Sequence, residues 1–229
     1  RHTRCADVTG VQTCALPIYE PSGFDGMTLE SEATEPGGHF IGWTPGKVTL
    51  PPVADMAWRL DPGTDVVVQL HMRTTGQEEE VGAQVGFYFT DRPGERSPAK
   101  VVVSSLMIDI PPGEADYRVN SSYTLPVAVD VLSVYPHAHY LGKSLRGAAV
   151  LPNGREIELI DIPDWDFDWQ DEYRFSEPLR LPARTVLHMR YTYDNSSGNP
   201  RNPRDEPVRV TYGPDRKSTR LNSSHVRTS

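Results

Sequence analysis

Two histidines in Pro136-His-Ala-His-Tyr140 are the residues whose type and spacing could most clearly do chemistry. His137 and His139 directly follow Val127–Tyr135, a run with the composition of a β-strand. On an extended backbone, residues i and i+2 point to the same face, so both imidazoles can reach one metal ion. Imidazole suits copper, zinc, iron and nickel, and the pair alone does not choose among them. A surface or hydrogen-bonded histidine pair without metal is the alternative interpretation.

Other histidines lie within strand-like runs. His71 ends the run Val66-Val-Val-Gln-Leu-His71 and shares a strand face with Val67 and Gln69. His71 is a candidate metal ligand, with a half-buried, hydrogen-bonded histidine as the alternative. Gln69 is a candidate to orient a ligand through a hydrogen bond without binding the metal itself. His188 is interpreted as structural.

An unusual stretch, Asp161–Asp171, interleaves acidic and aromatic side chains. Such a stretch could bind calcium or a sugar, but it lacks the spacing of an EF-hand loop. We predict instead a structural loop in which Trp165, Phe167 and Trp169 pack inward while the acids face water.

The elements that must position these residues are short strands separated by Pro, Gly and Asn, with no long helical period. Pro152-Asn-Gly154 predicts a tight hairpin, because Asn-Gly tolerates positive φ angles. The paired prolines of Ile110-Pro-Pro-Gly113 mark the best domain boundary. This pattern predicts an all-β protein of sandwich or barrel type. The predicted strands are Val66–Leu70, Val81–Phe89, Lys100–Ile108, Tyr117–Tyr123, Val127–Tyr135, Ser144–Leu151, Arg155–Ile162, Glu172–Phe175, Thr185–Tyr193 and Val208–Tyr212.

The two ends of the chain differ from the middle and share an origin. A DNA sequence that encodes Val8–Ile18 has a reverse complement that encodes Asp215–His225 in frame. Chance would hardly produce this relationship, and the DNA resembles a sequencing-library adaptor. We therefore expect residues 1–18 and 215–229 to be adaptor-derived, and residues 19–214 to be a protein segment cut at both ends.

Composition narrows the classes of function. Without the end segments the formal net charge changes from −8 to −12, because six basic and two acidic residues are removed. Such an acidic chain is a poor candidate for binding a nucleic-acid backbone. Both cysteines lie in the end segments, so disulfides cannot indicate a compartment. No run approaches the roughly 18 apolar residues of a membrane span.

Taken together, these elements resemble a known family. Gln69-Leu-His71 on a strand and His137-Ala-His-Tyr-Leu-Gly-Lys143 are similar to the copper type II, ascorbate-dependent monooxygenases, which include peptidylglycine α-hydroxylating and dopamine β-monooxygenases. The segments Leu151–Gly154, Ile162–Phe167 and Tyr193–Ser196 resemble its bacterial branch.

The resemblance implies two antiparallel jelly-roll β-sandwiches, both incomplete here: residues 19–109 form the end of the first and residues 110–214 the second. It makes His71 one of three histidines at an electron-entry copper. It makes His137 and His139 two ligands of an oxygen-activating copper, whose third ligand is a methionine expected shortly beyond Pro214. The histidine pair that would complete the first site is expected upstream.

The implied activity is hydroxylation of a C–H bond in a small-molecule or peptide substrate with O2 and ascorbate or an equivalent reductant. The resemblance also implies a periplasmic or extracellular location. Two alternatives remain open. One is a non-catalytic copper-binding or adhesion module, and the other is a zinc or iron jelly-roll enzyme that uses His137 and His139.

Overall fold

The computed structural model describes residues 98–212 without interruption, together with separate shorter segments. Those segments are residues 11–14, 33–34, 56–63, 65–68, 77–78, 80, 82, 84–92, 94–96, 220–221 and 224–228. The chain divides into two compact units, residues 1–99 and 100–229. Ile110–Gly113 lies within the second unit, and the domain division expected there stays a prediction.

Every regular element in the described part of the chain is a β-strand, which confirms the all-β prediction. The strands are β1 (Val11–Cys14), β2 (Ala33–Thr34), β3 (Asp65–Val68), β4 (Ala99–Val103), β5 (Asp109–Ile110), β6 (Tyr117–Thr124), β7 (Val129–Tyr135), β8 (Gly142–Val150), β9 (Glu156–Ile162), β10 (Tyr173–Leu181), β11 (Val186–Tyr193), β12 (Val210–Tyr212), β13 (Arg220–Leu221) and β14 (Ser224–Thr228). No helix in the segments described is long and apolar enough to cross a membrane.

The first unit contains a three-stranded antiparallel sheet in the order β2-β1-β3. The second contains two four-stranded sheets, which we name the front sheet, ordered β10-β7-β14-β4, and the back sheet, ordered β6-β11-β8-β9. Of these strands, β14 lies in the end segment that is expected to be adaptor-derived. A small third sheet joins β5 antiparallel and β13 parallel to β12.

The core of the second unit joins the front and back sheets. In β11, Leu187, Met189, Tyr191 and Tyr193 are buried, while the residues between them are half-buried or exposed, as a strand with one face on a core requires. Leu187 belongs to one buried cluster that includes residues of both sheets, among them Val131, Leu145 and Leu181. Each such side chain contributes roughly 1.5–3 kcal/mol to folding. The second unit is therefore β-sandwich-like.

The hairpin predicted at Pro152–Gly154 is confirmed between β8 and β9. Gly154 has a φ of 84°, a conformation that glycine adopts without steric cost. The Leu151 amide donates to the Arg155 carbonyl at 2.8 Å, and the Gly154 amide donates to the Leu151 carbonyl at 2.9 Å. The Asn153 side-chain oxygen accepts the Arg155 amide at 3.0 Å, so the asparagine stabilises the turn through its side chain. The positive φ in this turn is at Gly154 and not at Asn153.

Three predicted strands differ from those in the structure. The strand expected at Val81–Phe89 is wrong, because residues 82 and 84–89 have no strand conformation. Gly82 and Gly86 interrupt that run, and glycine weakens a strand through its larger entropy loss. The strand expected at Lys100–Ile108 ends at Val103.

The strand expected at Glu172–Phe175 continues to Leu181, through Pro178. The pairing of β10 with β7 shifts in register between Arg174 and Leu179. This irregularity accommodates a proline, which has no amide proton to donate to a neighbouring strand.

Candidate metal centre

His137 and His139 lie on the connection between β7, which ends at Tyr135, and β8, which begins at Gly142. Between them, Ala138 is completely buried. The Gly142 amide donates to the His139 carbonyl at 2.9 Å, closing a turn that returns the chain into β8. The histidine pair is therefore anchored at both ends by strands and in the middle by a core residue.

The two imidazoles converge on one point. Their Nε2 atoms are 3.2 Å apart, and the ring centroids are 5.0 Å apart with the planes at 88°. Two nitrogens that share a tetrahedral ion at about 2.0–2.1 Å are separated by about 3.3 Å. The arrangement therefore fits two ligands of one ion, and it also fits a direct hydrogen bond between the rings.

Burial distinguishes the two histidines. His139 is only 6% exposed, while His137 is half-buried. A metal held here would contact protein on the His139 side. Solvent would reach it from the His137 side.

Gln170 contacts the pair from the loop between β9 and β10. Its Oε1 is hydrogen-bonded to Nδ1 of His137, and its Nε2 donates to the Phe167 carbonyl at 3.0 Å. Ligating histidines commonly use their second ring nitrogen to contact an oxygen that fixes the ring orientation. Gln170 occupies that position.

Two aromatic rings cover the His139 side of the pair. Phe167 meets the His139 ring edge to face, with centroids 5.9 Å apart. Tyr140 packs on Phe167 at 4.2 Å and remains 37% exposed. Aromatic edge-to-face contacts contribute about 0.5–1.5 kcal/mol beyond area burial, so these rings help to hold His139 in place.

Trp165 fixes the loop to the strand beneath the site. Its side chain is 1% exposed, and its amide donates to the Lys143 carbonyl at 2.9 Å. The neighbouring Asp164 pairs with Arg201 at 2.8 Å. The hydrogen bond from Arg201 lowers the pKa of the Asp164 carboxyl.

The prediction for Asp161–Asp171 is confirmed in part. Trp165 is buried and Phe167 half-buried, and Asp161, Asp164, Asp166 and Asp168 are exposed as expected. Asp171 is half-buried, so the expectation that the acids face water is wrong at that position. Trp169 is 70% exposed, so the prediction that it packs inward is wrong. The sequence did not predict a role for Gln170, because no motif or spacing links this glutamine to the two histidines. Its position beside an aromatic run was the only signal that could have indicated it.

The remaining predicted site residues cannot be placed beside this pair. His71 and Gln69 lie outside the described residues. Within the described segments, no group of three or more His, Cys, Asp or Glu side chains is arranged to hold a metal ion. The described part of the site therefore offers two imidazole ligands. No protein-family model matches the chain, and no curated protein matches it.

Proposed function

We propose that the chain is part of a copper-dependent monooxygenase that hydroxylates a C–H bond of a small-molecule or peptide substrate with O2 and an ascorbate-type reductant. The proposal rests on the similarity of the His137–Lys143 and Gln69–His71 segments to that family. The observation that carries it is the 3.2 Å separation of the His137 and His139 Nε2 atoms. Two jelly-roll sandwiches and a periplasmic or extracellular location belong to the same proposal.

The donor set fits copper as far as it is described. Imidazole serves both oxidation states of copper, and a thioether favours Cu(I). His137 and His139 would supply two nitrogens, and the methionine expected beyond Pro214 would supply the thioether. His71 would belong to the separate electron-entry copper. Copper bound by the pair would supply the one-electron chemistry by which O2 is activated.

The residues of the chain have separate tasks in this proposal. Gln170 holds the His137 ring through Nδ1, and Phe167 packs on the His139 ring. Buried Ala138 and the turn at Gly142 fix the backbone from which the two rings project. A site held in this way loses little side-chain entropy when the ion binds.

The alternative is a copper-binding or adhesion module without catalysis. Two converging imidazoles can hold a copper ion without any oxygen chemistry, so the geometry of the pair also fits this module. An intact gene separates the two functions, because an upstream His-His pair and a downstream methionine favour catalysis. The absence of either one favours the binding module.

Copper binding by the whole chain tests the ligand assignment. Cu(I) competition against a chromophoric chelator should show weak binding, reduced at least about 10-fold in His137→Ala and His139→Ala. His188→Ala is the matched control, because His188 is half-buried on β11, away from the pair in sequence. This variant should bind Cu(I) with the affinity of the unchanged chain. Equal affinity in all four proteins would refute the site. Tight uptake of two coppers would also show that the ligands are wrongly assigned.

Catalysis is tested on the full-length gene product. Copper-dependent oxygen uptake with ascorbate is the expected result. Zinc at stoichiometric occupancy with no copper-dependent oxygen uptake would exclude the monooxygenase and favour a zinc enzyme.

A further inference from the structure

The carboxamide of Gln170 makes two hydrogen bonds of opposite polarity, and together they fix its orientation. The Phe167 carbonyl can only accept, so the atom 3.0 Å from it must be the amide nitrogen of Gln170. The other end of the carboxamide, which faces Nδ1 of His137, must therefore be the oxygen. This settles an assignment that is otherwise ambiguous for glutamine side chains.

The orientation of Gln170 dictates which nitrogen of His137 carries the proton. An amide oxygen only accepts, so Nδ1 of His137 must donate. In the neutral ring, Nε2 of His137 is then unprotonated and presents its lone pair to Nε2 of His139, 3.2 Å away. A lone pair at this position is what a metal ligand needs.

The same glutamine reaches the second histidine indirectly. By donating to the Phe167 carbonyl, Gln170 fixes the backbone of the residue whose ring packs edge to face on His139 at 5.9 Å. One carboxamide thus bonds to one imidazole and restrains the ring that orients the other. A carboxylate at position 170 could do only the first of these, since it has no proton to offer the Phe167 carbonyl.

We propose that Gln170 is a positioning residue for the histidine pair: it selects the Nδ1-protonated tautomer of His137 and, through Phe167, restrains the ring of His139. Its effect on metal affinity rests on the proposed function, while its effect on the tautomer does not. Gln170 binds neither metal nor substrate. Its contribution is that both Nε2 atoms are oriented before an ion arrives.

Two variants separate the two contacts of Gln170. Gln170→Leu removes both hydrogen bonds, and Gln170→Glu keeps an acceptor for His137 while losing the donor to Phe167. Gln84→Leu is the matched control, because Gln84 is an exposed glutamine of the first unit. Far-UV circular dichroism verifies that each variant retains its strand content.

The first readout is the tautomer, measured by long-range 15N–1H correlations of the imidazole rings at about pH 8, above the ordinary histidine pKa of about 6.5. We expect His137 to be protonated at Nδ1 in the unchanged chain, in Gln84→Leu and in Gln170→Glu, but to become a mixture of tautomers in Gln170→Leu. An unchanged tautomer in Gln170→Leu would overturn the proposal. If Gln170→Leu does not fold, the test rests on Gln170→Glu, and the proposal fails if Nδ1 of His137 is not protonated in that variant.

The second readout is metal affinity, measured with Cu(I) and with Zn(II) by chelator competition. We expect Gln170→Leu to lower the affinity about 10- to 100-fold, as is usual for groups that orient ligands, with a smaller loss in Gln170→Glu. Equal affinity in Gln170→Leu and the unchanged chain would overturn the metal part of the inference. If the unchanged chain binds neither ion but the tautomer still depends on Gln170, the proposed function fails while the positioning of His137 stands.

Discussion

Replacing Gly142 by alanine should destabilise the second unit, because this position has no space for a side chain. An added Cβ would lie 2.5 Å from Cδ1 of Trp165 and 3.0 Å from the Cβ of Ala138. Carbon atoms in contact are normally about 3.5–4.0 Å apart, so the ring or the strand must move by about 1 Å. Trp165 is 1% exposed, and the close packing of protein interiors leaves a buried indole little room to move.

The size of the effect follows from two opposing contributions. Overpacking a filled core costs about 1–3 kcal/mol, and the lower entropy of the unfolded alanine chain restores about 0.4–1 kcal/mol. We expect Gly142→Ala to lower the free energy of unfolding by about 1–2 kcal/mol. Gly147 and Gly198 provide a graded control, since an added Cβ would meet Cγ2 of Ile160 at 3.1 Å and Oγ of Ser196 at 3.6 Å, respectively.

Urea unfolding followed by circular dichroism measures this series. We expect Gly198→Ala to be the most stable of the three variants, Gly147→Ala the next and Gly142→Ala the least. The slope of the free energy of unfolding against urea concentration should be the same in all three. A midpoint for Gly142→Ala equal to that of Gly198→Ala would refute the close packing of Trp165 against this strand. Because the added Cβ would also lie 3.1 Å from the His139 carbonyl oxygen, Gly142→Ala should weaken copper binding, whereas Gly147→Ala should not.

Further predictions concern side chains around the core of the second unit. Trp165→Ala should lower the free energy of unfolding by about 3–5 kcal/mol, and Trp169→Ala by no more than about 0.5 kcal/mol. The reason is that the Trp165 ring is 1% exposed and the Trp169 ring 70%. Equal urea midpoints for the two variants would contradict this. Asn195 is buried and donates to the Pro111 and Val208 carbonyls at 3.0 and 2.8 Å, so Asn195→Leu should cost about 2–3 kcal/mol in the same assay, since it leaves buried acceptors without donors. Burial raises the pKa of Tyr193 far above its ordinary value. Above about pH 10 the unfolded chain therefore loses a proton that the folded protein keeps, and the free energy of unfolding falls as the pH rises further. Urea midpoints at several alkaline pH values should show that Tyr193→Phe reduces this fall while Tyr123→Phe, at a 40% exposed position, does not; equal slopes would exclude Tyr193 as its origin.

Alternation and turn chemistry made much of the second unit predictable. β11 alternates buried and less buried residues along Val186–Tyr193, and the hairpin turn places Gly154 at a positive φ that glycine favours. Both signals are local, because each depends only on the types of consecutive residues. The convergence of His137 and His139 also followed from a two-residue spacing.

Features that depend on distant residues could not be predicted in this way. Gln170 reaches His137 because β10 pairs antiparallel with β7, with Tyr173 opposite Val134, so the residues just before β10 run beside those just after β7. No local spacing records this pairing. Val81–Phe89 has strand composition without strand conformation in its described residues, since pairing requires a neighbour that composition does not specify. Trp169 belongs to an aromatic run, yet the direction of its side chain is set by the loop as a whole.

The irregular pairing of β10 has a consequence for association between molecules. β10 is an outer strand of the front sheet, and outer strands expose backbone groups that can pair with another molecule and begin aggregation. Pro178 lies within β10, and the strand departs from regular register between Arg174 and Leu179. A proline and an interrupted register both break the flat ladder that a second sheet would need. The distortion of β10 therefore protects this edge of the front sheet against edge-to-edge aggregation.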